Sequence, residues 1–400
     1  MVKFIFFILI IFSFTGCSTQ PQKPVDSTLP VLDITKDYPV KDINIHDIAD
    51  VEYIPLETTD SVLLYYADQY RISDKYIITY EIKDNNGTVH FFDRKGKHLR
   101  RINHYGQGPE EHNWIRCFAV DFDKEEYYIY DGTKMQVYSF LGEWQRTLKV
   151  PQGISYEDLF DCNEQYLIGE NIFHDYWNPD NLPEDQTPYY LIDKKSGEHI
   201  SLPIRIGNRV SRTLEKRIEH IDANVAKRHF NRMSIITSLL ANGNEFLIAD
   251  FGLDTIYSYK DNNLNPIAVQ YPSVHSNKTP LIIAPRYYTD NFMIFKPVKF
   301  RFTPEYILLP YEEAPNLMWN RKSNEIYQIN FYDSNRPNNT IGTNMRGRQF
   351  KETNYMFNWL GAENLCDLYK EGELRGELKE LAPKLKEDDN FVIAIYKLKK

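Results

Sequence analysis

The chain has 400 residues, room for one large β domain or two smaller ones, and 42% of them are hydrophobic, ample for a core. Its formal net charge is −9, with 56 acidic and 47 basic residues interspersed, a balance that argues against nucleic acid as a main partner. The 29 Tyr and 23 Phe weight the composition toward strands, because aromatic rings fill the faces between packed sheets.

Residues 1–16 read as a signal peptide. Lys3 supplies a short basic start, and residues 4–12 form an apolar run too short to span a bilayer as a mature helix. Phe14-Thr15-Gly16-Cys17 resembles a bacterial lipobox, with Phe14 where Leu is usual, so Cys17 is the expected lipid attachment point. An ordinary secretory signal with an incidental Cys is the alternative. Residues 17–40, polar and carrying Pro21 and Pro24, are expected to be a flexible tether to a domain spanning 41–400. Cys117, Cys162 and Cys366 are odd in number and form no CxxC pair, so neither a disulfide framework nor a zinc site is indicated; they read as small buried hydrophobes.

Residues 51–56 are strand-like, and Pro55 places them at a sheet edge, where a missing N–H does no harm. A first full unit follows: strands at 76–80, 89–92 and 99–102, with turns at 84–87 and 94–96. Residues 126–148 repeat it. The run Tyr127-Tyr128-Ile129-Tyr130 ends at Asp131-Gly132, which supplies the positive φ of a tight turn, and an alternating run from Met135 ends at Leu141-Gly142-Glu143. Overlaying the two units puts Gly96 on Gly142, Phe91 on Val137 and Ile102 on Leu148, and a third copy turns at Ser196-Gly197. A fourth spans 245–249 and 254–259; a fifth spans 306–309, 316–320 and 326–329; a last strand is at 391–396.

Repeats of roughly 40–50 residues built from short strands are the signature of a β-propeller with four-stranded blades. Five units plus the terminal strands predict an all-β, six-bladed ring of antiparallel blades. Residues 51–56 would join the C-terminal strand to close it, because an open ring would expose two long sheet edges. A large β-sandwich is the alternative. Two stretches break the period. Residues 174–188 form a Pro/Asp-rich loop carrying Tyr176 and Trp177, and the apolar positions of 211–232 predict an inserted helix. Leu374, Leu378, Leu381 and Leu385 predict an amphipathic helix that Pro383 interrupts.

Taken together, Cys17, Gly106-Gln107-Gly108-Pro109-Glu110-Glu111, Asp254-Thr255-Ile256-Tyr257 and Asp388-Asp389-Asn390-Phe391 running into Ile395-Tyr396-Lys397-Leu398-Lys399 carry a resemblance. The chain resembles the six-bladed β-propeller lipoproteins of Gram-negative bacteria, which are related in shape to NHL-type propellers. That family often has Gly where this chain has Glu110, and Pro where it has Phe391. The likeness runs from about residue 51 to the end. It implies a cell-envelope scaffold held to a membrane by a lipid on Cys17, with a glycan, small ligand or envelope protein as partner. Residues 18–23 lack the acidic export signal that such lipoproteins sometimes carry, which favours a periplasm-facing protein over a surface-exposed one.

The motifs assign no chemistry. The stretch from Gly106 to His112 lacks the third Gly of a phosphate loop, holds Pro109 and sits in no βαβ pattern, so it reads as an inter-blade turn with positive φ at its glycines. His104, Glu110, Glu111 and His112 do not have the spacing of a helical metal motif, and residues 121–126 lack the EF-hand Gly and contain Lys124. No catalytic residue, metal or cofactor is therefore assigned. Trp114, Tyr176 and Trp177 are loop aromatics suited to stacking on a sugar or anchoring a partner, with packing between blades as an equal alternative. Arg286-Tyr287-Tyr288 and Lys299-Phe300-Arg301 are strand-like and are expected to face the channel. A binding scaffold is the leading expectation. A hydrolase or lyase acting on a glycan or a lactone, with carboxylates at the channel mouth, is the alternative.

Overall fold

The Tyr127–Tyr130 run is buried at every position, which no half-solvated sheet allows. Tyr127 and Ile129 pack with Phe91, Phe118, Tyr138 and Phe140 on one side, whereas Tyr128 and Tyr130 pack with Tyr156, Leu159 and Ile192 on the other. Alternate residues thus enter two different interfaces, as expected of a blade sandwiched between two others. Each large apolar side chain so buried contributes roughly 1.5–3 kcal/mol. A computed structural model describes residues 28–64, 69–83, 86–171, 185–207, 213–222, 225–232, 237–276, 281–299, 314–341 and 348–399.

Six sheets form a ring, a β-propeller. Blade 1 runs outward through Tyr70–Ile72, Tyr76–Lys83, Asn86–Asp93 and His98–Ile102. Blade 2 comprises Cys117–Asp121, Glu126–Tyr130, Lys134–Ser139 and Trp144–Lys149; blade 3 comprises Tyr156–Asp161, Tyr166–Asn171, Tyr189–Asp193 and His199–Ser201. Blade 4 is built from Leu239–Asn242, Glu245–Ile248, Thr255–Lys260 and Asn263–Tyr271, and blade 5 from Leu281–Tyr288, Phe292–Lys299, Asn316–Asn320 and Ile326–Asp333. The overlaid glycines fall in equivalent turns: Gly96, Gly142 and Gly197 all have positive φ between the third and fourth strands of blades 1, 2 and 3. At Asp131-Gly132 the glycine has φ of 94°, and Asp131 Oδ1 accepts from the backbone N–H groups of Thr133 and Lys134, both at 2.9 Å.

Blade 6 closes the ring as expected. The C-terminal strand Val392–Leu398 lies between Tyr355–Leu360 and the N-terminal strand Ala49–Pro55, antiparallel to both, with Pro55 on the outer edge. This blade has three strands because the segment that precedes Tyr355–Leu360 is diverted. Arg348–Phe350 pairs in parallel with Tyr70–Ile72 of blade 1 and also touches the first strand of blade 4. All three of its residues are buried. It runs along the axis as an eccentric plug.

Several expectations change. The tether expected over 17–40 stops short of its end: Val31–Asp33 adds in parallel to the outer strand of blade 4, and Leu32 is fully buried. Val40–Asn44 adds in the same way to blade 5, so the N-terminal segment wraps the rim before it closes blade 6. The helix expected over 211–232 is a hairpin, Thr213–Asp222 against Val225–Arg232; apolar residues at near-helical spacing also occur in a strand that carries bulges, and two register shifts occur here. In blade 5 the inner strands are Leu281–Tyr288 and Phe292–Lys299, and the segment 306–309 lies outside the described residues. The C-terminal helix is shorter, Gly376–Leu381, with Pro383 in a following 3-10 turn, and a second helix, Ala362–Lys370, precedes it. Leu374 and Leu378 are buried in the large cluster shared by blades 1, 4, 5 and 6.

Candidate functional site

A blade's first strand must turn back into its second next to the ring axis, so the six turns converge at one end of the ring. Those of blades 2, 3 and 4 surround a cleft of about 480 Å³. Blade 2 contributes Asp121, Phe122, Asp123 and Lys124, and blade 3 contributes Asp161, Asn163 and Glu164 from its first turn and Lys194 from its third. Asn244 comes from blade 4, while Gln349 and Lys351 come from the axial plug and the turn after it.

Lys194 is the hub. Its side chain is 3% exposed, and Nζ lies 2.6 Å from Asp121 Oδ2, 2.5 Å from Asp161 Oδ1 and 2.6 Å from the Asn163 carbonyl. A buried ammonium requires such partners: Asp121 and the Asn163 carbonyl accept hydrogen bonds from it, and Asp161 adds a second opposite charge. The two carboxylates sharing it are unequal. Burial pushes Asp161 up to about 6 against the pull of Lys194, and the neighbouring Asp121 and Asp123 charges push the same way. Burial acts on Asp121 as well, but the charge and hydrogen bond of Lys194, with help from Lys124, leave Asp121 below its usual value.

The other cations are also engaged. Lys124 Nζ donates to the Glu164 carbonyl and lies 3.7 Å from Asp121, and Lys351 pairs with Asp123. The Gln349 amide group donates to the Asp161 carbonyl at 2.7 Å and accepts from the Asp161 N–H at 3.2 Å, so the plug strand holds the blade 3 turn in place. Behind the cleft, fully buried Arg71 stands in register with Gln349 and donates to the carbonyls of Phe118 (2.6 Å) and Leu159 (2.7 Å). Its guanidinium lies between the Phe118 and Phe160 rings. Burial lowers it to about 10, with Asp158 opposing. The axis here is packed with cross-blade contacts.

The residues singled out in the sequence lie mostly elsewhere. Cys17, Tyr176 and Trp177 fall outside the described residues. The Gly106–His112 stretch is an inter-blade turn, but neither glycine has positive φ. A Cβ on Gly106 would lie 1.9 Å from Glu111 Oε2, the carboxylate that accepts from the Gly108 N–H at 2.7 Å. The glycines thus make room for a side chain folded into its own loop. His104 stacks on Tyr138 at 4.4 Å, and buried His112 lies 3.3 Å from the Tyr138 hydroxyl; burial lowers its imidazole to about 4. Among the described residues no group of three or more His, Cys, Asp or Glu is arranged to hold a metal ion. Trp114 is 42% exposed. Tyr287 donates to the Phe357 carbonyl of blade 6 and Tyr288 bonds Glu245 of blade 4, so both tie blades together where the channel was expected, and Phe300 and Arg301 lie outside the described residues. Cys117, Cys162 and Cys366 are buried and free.

Of residues 121–126, which lack an EF-hand pattern, Asp121 to Lys124 form one wall of the cleft. Asp161, Lys194, Gln349 and Lys351 carried no signal at all. Asp161 and Lys194 stand in two turns of blade 3 and Gln349 and Lys351 on and after the axial plug, far apart in the chain, and no local spacing marks them.

The protein is therefore a six-bladed β-propeller with a charged cleft at one end of its ring. The chain matches the family described as "Domain of unknown function (DUF4934)" over residues 29–397, and it belongs to that family. Its fold is similar to a crystal structure named "Putative exported protein" from Bacteroides fragilis NCTC 9343, at 15% identity and a TM-score of 0.60, covering 92% of this chain and 100% of that one. A member of the DUF4221 family from Bacteroides vulgatus ATCC 8482 aligns at 11% identity and a TM-score of 0.43, covering 88% and 97%. No curated protein matches the chain.

Proposed function

We propose that this is an exported, lipid-anchored propeller that works as a binding scaffold, taking a small ligand or glycan in the cleft over blades 2–4. The lipid on Cys17 would hold it to a membrane of a Gram-negative envelope, facing the periplasm. The observation that carries the binding reading is the cleft itself. Its walls are fixed by bonds to one another, with Lys194 and Gln349 joining turns that a ligand would otherwise have to order. The address is supported by Lys3, the apolar residues 4–12 and Cys17, and by the name of the Bacteroides fragilis protein of similar fold. Among the described residues no helix is long and apolar enough to cross a membrane.

The two parts are tested separately. Cys17→Ser is expected to abolish incorporation of labelled palmitate and to move the protein from the membrane to the soluble fraction; unchanged membrane attachment would refute the anchor. For the cleft, a thermal-shift screen of glycans and small polar molecules is expected to give a stabilising ligand whose effect is lost in Asn244→Trp, which fills the cleft from an exposed turn. A ligand whose effect survives that variant would place binding elsewhere.

One observation favours a second reading, a hydrolase or lyase acting on a glycan or a lactone. Asp121 and Asp161 are neighbouring carboxylates whose environments drive them apart, the pattern of an acid–base pair. That reading requires turnover that Asp161→Asn removes while binding persists. A scaffold shows binding with no turnover.

A further inference from the structure

We infer that the cleft takes a small organic cation, a ligand bearing one or more ammonium groups; this deepens the binding reading above and rests on it. The reason is an inventory of donors and acceptors. Lys194 spends its ammonium on Asp121, Asp161 and the Asn163 carbonyl. Lys124 faces the Glu164 carbonyl and Asp121, and Lys351 faces Asp123. The amide N–H groups of Gln349 and Asn163 donate within the protein as well, to the Asp161 carbonyl and to Cys162 Sγ. An arriving anion would therefore meet cations that each already face a carboxylate. An arriving cation would meet the carboxylates that outnumber them.

Charge then separates a cation from a neutral polyol. The cleft holds four carboxylates, Asp121, Asp123, Asp161 and Glu164, against three ammonium groups, so one negative charge is uncompensated when all are ionised. Asp121 and Asp123 lie against lysines. Asp161 shares Lys194 with Asp121, and its side chain is 21% exposed, so it can meet a ligand. Glu164 stands exposed beside it on the same turn. A positive charge beside these two would supply the missing partner, and at half-buried Asp161 it would be screened less than at the open surface.

The arrangement gives the binding a pH dependence of known sign. Asp161 is faced by Asp121, Asp123 and Lys124 from blade 2, by Lys194 and Glu164 from blade 3, and by Lys351 from the turn after the plug. Burial, then the acids, raise it to about 6 while Lys194 opposes. Below that pH it holds a proton that a cation must expel. Affinity therefore falls up to about tenfold per unit as pH drops below about 6 and is flat above.

Isothermal titration of the purified chain with putrescine, 1,4-butanediol and succinate compares a cation, a neutral and an anion of matched length. Putrescine is expected to bind most tightly, more weakly at about pH 5 than at about pH 7.5. Asp161→Asn is expected to weaken it about tenfold or more and to flatten the pH profile; Glu164→Gln, on the exposed turn, should weaken it less and keep the profile. Butanediol or succinate binding as tightly as putrescine would overturn the inference. If Asn244→Trp still blocked them, the cleft would remain a ligand site of another specificity. No heat from any of the three probes also overturns the cation, and the thermal-shift screen then judges the cleft independently.

Discussion

Residues 351–354 cross the end of the ring, and the two sides they touch are held in different ways. On the blade 4–5 side, Asn354 donates its N–H to Asn242 Oδ1 at 2.7 Å and its amide group to Asp290 Oδ2 at 2.6 Å, while its Oδ1 accepts from the Asp290 N–H at 2.9 Å. Asn242 closes the set by donating to Asp290 Oδ1 at 3.0 Å. On the blade 2–3 side, Lys351 reaches Asp123, whose side chain is 78% exposed, and the order beneath comes from Lys194. Two short amides meet one carboxylate and close the first side. Long lysines and spread carboxylates must each reach their own partner, and the second side keeps a cleft.

Breaking the ionic hub should cost most. Lys194→Met leaves Asp121 and Asp161 buried without their shared cation, so a loss of about 3–5 kcal/mol in urea unfolding is expected. A loss below about 1 kcal/mol would mean that water enters the cleft and solvates both acids. Asn354 sharpens the other half. It sits at φ of 64°, so Asn354→Ala combines backbone strain with lost bonds to a charged partner, a loss of about 2–3 kcal/mol. Asn354→Gly removes the strain and should recover part of that loss. Equal losses for Ala and Gly would assign the whole effect to the amide contacts. The smallest effect belongs to Lys351→Ala, under about 1 kcal/mol and fading with salt, because its partner is exposed. A larger loss would make that ion pair a clamp on the axial plug.

The lost helix over 211–232 and the missed cleft share a cause. Periodicity reports what one face of one element touches, and a bulged strand can place apolar residues at helical intervals. The cleft has no such local face. Its Asp161 and Lys194 meet because two turns of one blade converge, and Gln349 arrives only because its strand leaves blade 6 for blade 1. The Gly106 turn is legible in the sequence but its cause is not, since the sequence shows a glycine and not the Glu111 carboxylate lying against it.

By itself the sequence determined the ring. Aromatic and β-branched runs buried on both faces, with glycine turns at Gly96, Gly142 and Gly197, allow little but radial packing of short sheets, and the terminal strands had to pair to remove an edge. Tertiary structure alone decided where chemistry gathers. The wrapping of residues 31–44, the diversion of Arg348–Phe350 and the sharing of Lys194 by two acids depend on contacts between segments far apart in the chain. Local patterns encode burial, which each residue meets on its own, whereas a charged site is a property of groups that folding brings together.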